Sequence, residues 1–157
     1  MPALSSHTYL RTLQRLNPTD RRRLAGIIRR FRREYRVARS AVVEVTIGDD
    51  RLLAALNRRW RRRPGPTDVL AFELGAAAEP RGRRWLWGEV YVSRDRARAQ
   101  ARARRVTLGE ELAALVAHGL LHLAGWDHRT AAARRAMDAA AAVLGKRSRG
   151  TGNAGRK

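Results

Sequence analysis

The stretch HGLLHLAGWDH, residues 118 to 128, contains three of the four histidines of this 157-residue chain. His118 and His122 are four residues apart, so on a helix their side chains lie one turn apart on the same face. Gly125 can end that helix, because glycine adopts the left-handed conformation at no steric cost. The chain can then turn back and bring His128 towards the other two. Three imidazoles that converge from a helix and the turn after it predict an open, three-ligand metal site.

A single histidine on an apolar helix face is more often a buried, hydrogen-bonded core residue, and His7 receives only that interpretation. Three clustered histidines would each need a buried partner of their own. The apolar residues around them offer no such partner; they are Leu115, Leu120, Leu121 and Leu123. The metal interpretation is therefore favoured, and three neutral imidazoles with an open coordination position favour zinc, at about one ion per chain.

The form H-x-x-x-H-x-x-G-x-x-H has the ligand spacing of metzincin proteases. Those enzymes carry a glutamate directly after the first histidine as general base, whereas this chain has Gly119 there. A metal can still polarise a phosphoryl oxygen without that carboxylate. A metzincin-like peptidase would need another base, and the only local candidate is Glu111, which falls on nearly the same helix face as His118. Glu111 could equally support a ligand histidine or face solvent near the start of the helix.

The charge of the chain is strongly unbalanced. Lysine and arginine number 34 against 14 acidic residues, for a net charge of +20, and every cation except Lys146 and Lys157 is an arginine. Such a field attracts polyanions and raises affinity for phosphate backbones. Codon bias can explain the choice of arginine over lysine, but not the excess of cations over anions. Nucleic acid is the predicted partner, ahead of an anionic membrane surface.

Cysteine usage and hydropathy limit the cellular context. The chain has no cysteine, which excludes thiolate metal sites and a disulfide-linked partner and favours a reducing cytoplasm. The N-terminal residues lack the continuous apolar stretch of a signal peptide. No apolar run approaches the length needed to cross a bilayer, so no membrane partner is expected.

Hydrophobic periodicity predicts the secondary structure. The patterns AVVEVTI (41 to 47), DVLAFEL (68 to 74) and WGEVYVS (87 to 93) predict three strands. The prolines in RRRPGPT, 61 to 67, predict a loop, and GAAAEPRGRR, 75 to 84, predicts a flexible hairpin connection.

Helix starts are marked by capping residues. Asn17 with Pro18 predicts the start of a helix whose apolar positions are Leu24, Ile27, Ile28, Phe31 and Tyr35. Asp49 and Ser93 predict caps of two further helices, the first running through Trp60 and the second to about Arg104. Thr107 with Glu110 forms a capping-box pattern ahead of the histidine helix. An alanine-rich helix is expected over 130 to 144, and a disordered basic tail over 146 to 157.

Three blocks of the sequence resemble the YbeY family, the bacterial endoribonucleases of rRNA maturation. HGLLHLAGWDH resembles that family's HGxLHLxGYDH, LNRRWRRRPGPTDVLAF (56 to 72) is similar to LNxxYRxxxxPTDVLSF, and GEVYVS (88 to 93) resembles GDIVIS. The order and separation of the blocks also agree, over about residues 40 to 130. The chain departs from the family pattern at four positions. Tryptophan replaces tyrosine at Trp60 and Trp126, alanine replaces serine at Ala71, and glutamate replaces aspartate at Glu89.

The resemblance implies a zincin-like α/β (α+β) fold, with one mixed β-sheet of about four strands packed with helices. The three-histidine site would lie on a central helix and the turn after it. Residues 1 to 145 would form a single catalytic domain. The first forty residues show no clear strand pattern, so the fourth strand is implied by the resemblance alone.

The resemblance also implies that the protein is a zinc-dependent endoribonuclease specific for single strands. Its expected substrates are ribosomal RNA precursors of the small subunit, which it would cut near the 3′ end of 16S rRNA. The implied metal ligands are His118, His122 and His128. Arg61, the arginine of the second block, and His118 are the implied catalytic residues, and Asp127 is expected to orient the loop rather than bind metal. Two alternatives stay open, a metzincin-like peptidase with a different base and an RNA-binding assembly factor with a structural metal.

Overall fold

The computed structural model describes residues 8–12, 16–74 and 85–145 of the chain. Within them lie four strands, five α-helices and one turn of π-helix. Their bounds are β1 Thr8–Thr12, α1 Pro18–Glu34, β2 Ala41–Gly48, α2 Asp50–Leu56, the π-turn Asn57–Arg61, β3 Val69–Glu73, β4 Trp85–Ser93, α3 Arg94–Arg104, α4 Leu108–Leu123 and α5 Ala131–Gly145. The predicted hairpin connection, the basic tail and His7 lie outside the described residues.

The four strands form one mixed sheet in the order β1-β2-β4-β3. β1 pairs with β2 in parallel, β2 pairs with β4 in parallel, and β3 pairs with β4 in antiparallel orientation. The predicted α/β architecture with about four strands is therefore confirmed. β1 is the strand that the sequence pattern did not reveal, and its pairing with β2 places it at one edge of the sheet.

The predicted helix caps are confirmed by the hydrogen bonds at the helix starts. The Asn17 side chain accepts the backbone N–H of Asp20 at 2.8 Å, with Pro18 in the first turn of α1. The Asp49 and Ser93 side chains cap α2 and α3 in the same way. At α4, the Thr107 hydroxyl accepts the N–H of Glu110 while the Glu110 carboxylate accepts the N–H of Thr107, which is the complete capping box.

Helix α4 lies at the centre of the packing. It contacts α1, α3 and α5 as well as strands β3 and β4. Its apolar face is fully buried at Leu112, Val116 and Leu120, and it meets the buried face of α1, which includes Ile27 and Phe31. A helix held on so many sides is a rigid support for the side chains at its C-terminal end.

The segment between α2 and β3 differs from the prediction. The helix that begins at Asp50 continues through a π-turn as far as Arg61, and Arg62 then adopts a left-handed conformation with φ of 53°. The predicted loop from 61 to 67 therefore starts one residue later. Arg61 is the last residue of the π-turn rather than a loop residue.

Among the described helices, no single one is both long and apolar enough to cross a membrane. Helices α3 and α4 would meet that condition only as a pair, which is bent by 116°. Most of the apolar side chains of α4, including every leucine after Leu108, are buried inside the protein.

Candidate metal centre

The three histidines of the motif lie together at the C-terminal end of α4. His118 and His122 project from successive turns, and the helix ends at Leu123. Gly125 has φ of 92°, the left-handed conformation that reverses the chain. Its N–H donates to the His122 carbonyl at 3.0 Å, which closes the last turn of α4. The reversal carries His128 back to the other two histidines.

The imidazole rings form a triangle. Their centroids are 5.2 Å apart for His118 and His122, 5.2 Å for His122 and His128, and 5.7 Å for His118 and His128. One ring nitrogen from each histidine lies within 4.8 Å of the other two. His118 and His122 are partly buried and His128 is exposed, so the cluster opens to solvent on the side of His128.

A hydrogen bond fixes the ring of His122. Its Nδ1 lies 3.0 Å from the backbone carbonyl oxygen of Trp126. A carbonyl oxygen can only accept, so Nδ1 carries the proton and donates, and Nε2 keeps its lone pair. Carbonyl support of this kind orients metal-binding histidines in many proteins. Sequence reasoning did not predict this partner, because the contact depends on the fold of the turn.

Burial lowers the pKa of two of the histidines and so favours their neutral form. It is the largest cause of a lowered pKa at His118, where the nearby His122 and His128 lower the pKa further and Asp138 and Asp68 oppose them. At His122 burial again lowers the pKa most, and the Trp126 carbonyl acts in the opposite direction. Neutral imidazole is the form that binds a metal. The donor set, its spacing and the lowered pKa of His118 and His122 therefore fit a single divalent ion.

The positive charge of Arg61 acts on the histidine cluster. Its positive charge is one of the causes that lower the pKa of His122, which places its guanidinium within electrostatic range of that ring. The buried Asn57 side chain, 6% exposed, donates to the Gly65 carbonyl at 2.9 Å. This bond closes the loop after the π-turn and holds the backbone around Arg61.

Carboxylates complete the surroundings of the cluster. The negative charges of Asp68, just before β3, and of Asp138, in α5, oppose the lowering of the His118 pKa. Neither residue belongs to the histidine motif. Asp68 is held by the Gln100 side-chain amide at 3.1 Å. Asp127 accepts the backbone N–H of Arg129 at 3.3 Å, in line with the loop-orienting role expected of it. Sequence reasoning missed Asp68 and Asp138, since both come near only through tertiary packing.

The position of the metzincin glutamate is closed by packing. Gly119 is buried against the sheet, and a Cβ at that position would collide with the side chains of Val90 and Val69. Glu111 does not replace the missing base: it is 2% exposed and lies 3.3 Å from the guanidinium of Arg104. Of the alternatives that the sequence left open for Glu111, exposure to solvent is wrong, and its described ionic partner is an arginine rather than a histidine.

Replacement of Gly119 by alanine is expected to destabilise the protein by about 1–3 kcal/mol, because the new methyl group overpacks the contact between α4 and β4. Chemical unfolding in urea measures the loss. Gly145→Ala is the matched control, since no atom lies within 4 Å of a Cβ built at Gly145. A Gly119→Ala protein as stable as the Gly145→Ala protein would contradict the tight packing of α4 on the sheet.

The fold and the histidine triangle define an α/β protein with a potential metal centre at the end of its core helix. A family model described as Endoribonuclease YbeY matches residues 12–148. The chain belongs to the YbeY family.

Individual relatives agree with this assignment. A curated protein named Endoribonuclease YbeY from Anaeromyxobacter sp. (strain Fw109-5) is 47% identical over 96 residues, which are 60% of this chain and 48% of that protein. One of the same name from Moorella thermoacetica is 42% identical over 110 residues, 66% of this chain and 70% of that protein. The chain spans about half the length of several curated relatives that it matches.

A solved structure has the same fold. The solution structure of a Thermotoga maritima protein superposes with a TM-score of 0.56 at 24% sequence identity, and the match covers 86% of this chain and 88% of that one. At this level of identity the likeness concerns the architecture, which is that of the mixed sheet and helices described above.

Proposed function

We propose that this protein is a zinc-dependent endoribonuclease that cuts single-stranded regions of ribosomal RNA precursors in the cytoplasm, at the 3′ end of 16S rRNA. The observation that carries the proposal is the convergence of three imidazoles at the end of α4, with the positive charge of Arg61 acting on one of them. The name shared by the curated relatives, Endoribonuclease YbeY, supports the class of reaction. The proposed partners are the precursor RNA and the small ribosomal subunit.

The residues that would hold the metal are His118, His122 and His128. Three imidazoles leave one position of a tetrahedral zinc site open, which is the arrangement of catalytic rather than structural zinc. When bound, the ion supplies a Lewis acid that polarises a phosphoryl oxygen. The Trp126 carbonyl holds the His122 ring in the required tautomer, so the site is preorganised before the ion binds.

Arg61 would act on the phosphate. Cleavage of RNA builds negative charge on the non-bridging oxygens, and a planar guanidinium donates two parallel hydrogen bonds to such a pair of oxygens. Its backbone is held by the π-turn and by the loop that Asn57 closes. A positioned cation of this kind stabilises the transition state without reorganisation during the reaction.

Two observations weigh against the alternative functions. A peptidase of the metzincin type needs a carboxylate beside the metal, whereas Gly119 packs on the sheet and Glu111 is paired with Arg104. A structural zinc site needs four protein ligands. Among the described residues, the cluster at the end of α4 provides three.

The proposal is tested by cleavage of a purified small-subunit rRNA precursor that carries its 3′ extension. Protein supplied with zinc is expected to cut the single-stranded extension, and protein stripped of metal by a chelator is expected to leave it intact until zinc is restored. A duplex made by annealing a complementary strand to the extension is the control and should stay uncut. RNA binding without cleavage in the presence of zinc would favour the assembly-factor function, and cleavage that survives chelation would exclude a metal-dependent mechanism.

A further inference from the structure

Trp60 is an exposed aromatic side chain directly before Arg61 in the chain. It is 62% exposed, more than any other large apolar residue of the described part of the chain. It lies in the π-turn between two arginines, and the guanidinium of Arg59 is 5.3 Å from the centre of its ring. The packing of the core does not require an indole at this surface position.

Neighbouring aromatic rings hold Trp60 in place. Its ring meets Phe72 of β3 edge-on, with centroids 6.4 Å apart, and Phe72 in turn meets Tyr91 of β4 at 6.0 Å. Contacts of this geometry are favourable for aromatic pairs. Trp60 is therefore supported along one edge by a row of rings, and much of its surface stays open to solvent.

Trp60 comes directly before Arg61, the residue proposed to act on the phosphate. Their Cα atoms are about 3.8 Å apart. Val69, at the start of the strand that carries Phe72, packs against Gly119, the residue after His118, so β3 borders the helix that carries the histidines. An RNA strand that contacted Arg61 would thus have Trp60 within reach.

The chemistry of this surface matches one kind of ligand. Unpaired bases stack on exposed aromatic rings, while arginines beside the ring contact the phosphates that connect them. The arginines at positions 58, 59 and 61 are all exposed, and they complement a polyanion. A protein partner would be expected to present acidic side chains here, but only single-stranded nucleic acid provides a flat apolar face and a phosphate at each unit of its chain.

We propose that Trp60 is a stacking platform for one base of single-stranded RNA, and that this contact positions the neighbouring phosphate at Arg61. The inference rests on the proposed function. It adds a physical reason for the preference for single strands, because the bases of a duplex are already stacked on each other and cannot stack on an indole. Trp60 is a positioning residue, since it holds a base rather than the reacting atoms.

The test compares Trp60→Ala and Trp60→Phe by their affinity for a short single-stranded oligoadenylate, with metal-stripped protein so that the strand stays intact. Trp60→Ala is expected to bind roughly fivefold to a hundredfold more weakly, the range for the loss of one base–aromatic stack. Trp60→Phe should recover most of the affinity. Leu74→Ala is the matched control, because Leu74 is another exposed apolar residue, 49% exposed at the end of β3, and it should bind like the original protein.

A strand of abasic riboses separates stacking from charge. It keeps the phosphates and lacks the bases, so Trp60→Ala should bind it as well as the unchanged protein does. Equal losses on the abasic strand and on oligoadenylate would overturn the stacking role. Unchanged affinity for oligoadenylate combined with weaker binding to purified small ribosomal subunits would assign Trp60 to a protein contact and would also overturn it.

The outcomes distinguish this inference from the proposed function. If the unchanged protein neither binds nor cuts single-stranded RNA, the proposed function fails. If it binds and cuts RNA and Trp60→Ala does both equally well, only the role of Trp60 fails. Circular dichroism and zinc content verify the fold of each variant, and substitution of so exposed a side chain is expected to leave both unchanged.

Discussion

Replacement of His122 by alanine is expected to reduce the zinc content from about one ion per chain to a level too low to measure. The two remaining imidazoles bind a divalent ion too weakly to retain it through purification. The same substitution removes the hydrogen bond from Nδ1 to the Trp126 carbonyl, which orients the ring in the turn. Elemental analysis of the protein after dialysis against zinc-free buffer measures the effect.

The fold should survive this substitution. His122 is partly exposed, and the buried face of α4 is built from other residues, among them Leu112, Leu120 and Leu121. His7→Ala removes a histidine outside the motif and is the matched control, which should keep its zinc. Full zinc occupancy in a folded His122→Ala protein would exclude the three-histidine site.

Replacement of Arg61 by alanine is expected to slow RNA cleavage roughly a hundredfold or more, the scale for losing one preorganised group that stabilises charge in the transition state. Zinc content should not fall, because the charge of Arg61 disfavours a cation at the neighbouring His122. Affinity for RNA should fall much less than the rate, since many other arginines remain to contact the backbone. Single-turnover cleavage and equilibrium binding, measured on the same RNA, separate the two effects.

Arg58→Ala is the control for bulk charge. Arg58 and Arg61 lie in the same π-turn and are both exposed, so the two substitutions remove the same charge from the same segment. Of these two arginines, Arg61 alone is among the causes of the lowered pKa of His122. If both substitutions slowed cleavage equally, only the overall charge would matter, and the catalytic role of Arg61 would be withdrawn.

Local sequence patterns predicted most of the secondary structure. Asn17, Asp49, Ser93 and Thr107 were expected to cap helices and do so, because a capping side chain bonds to a backbone N–H only a few residues away. The strands β2, β3 and β4 follow apolar patterns confined to a few residues each. β1 was missed, because its place depends on pairing with β2, more than thirty residues further along the chain.

The functional assignment from sequence depended on motifs of the same local kind. The resemblance to the YbeY family, drawn from three blocks, is confirmed by the family match over residues 12–148. The roles of Arg61 and the three histidines, the zinc ion and the ribosomal partners stay predictions. So do the limits of the catalytic domain at residue 145 and the disorder of the basic tail, which lies outside the described residues.

The sequence by itself determined the face on which His118 and His122 lie and the reversal at Gly125, because helical periodicity and glycine's left-handed conformation are local properties. Only the tertiary structure decided what surrounds them. It brought Asp68 and Asp138 near His118, paired Glu111 with Arg104, and pressed Gly119 against Val90. Burial, charge and close packing depend on segments that are distant in the chain, and no local spacing encodes which of these segments meet.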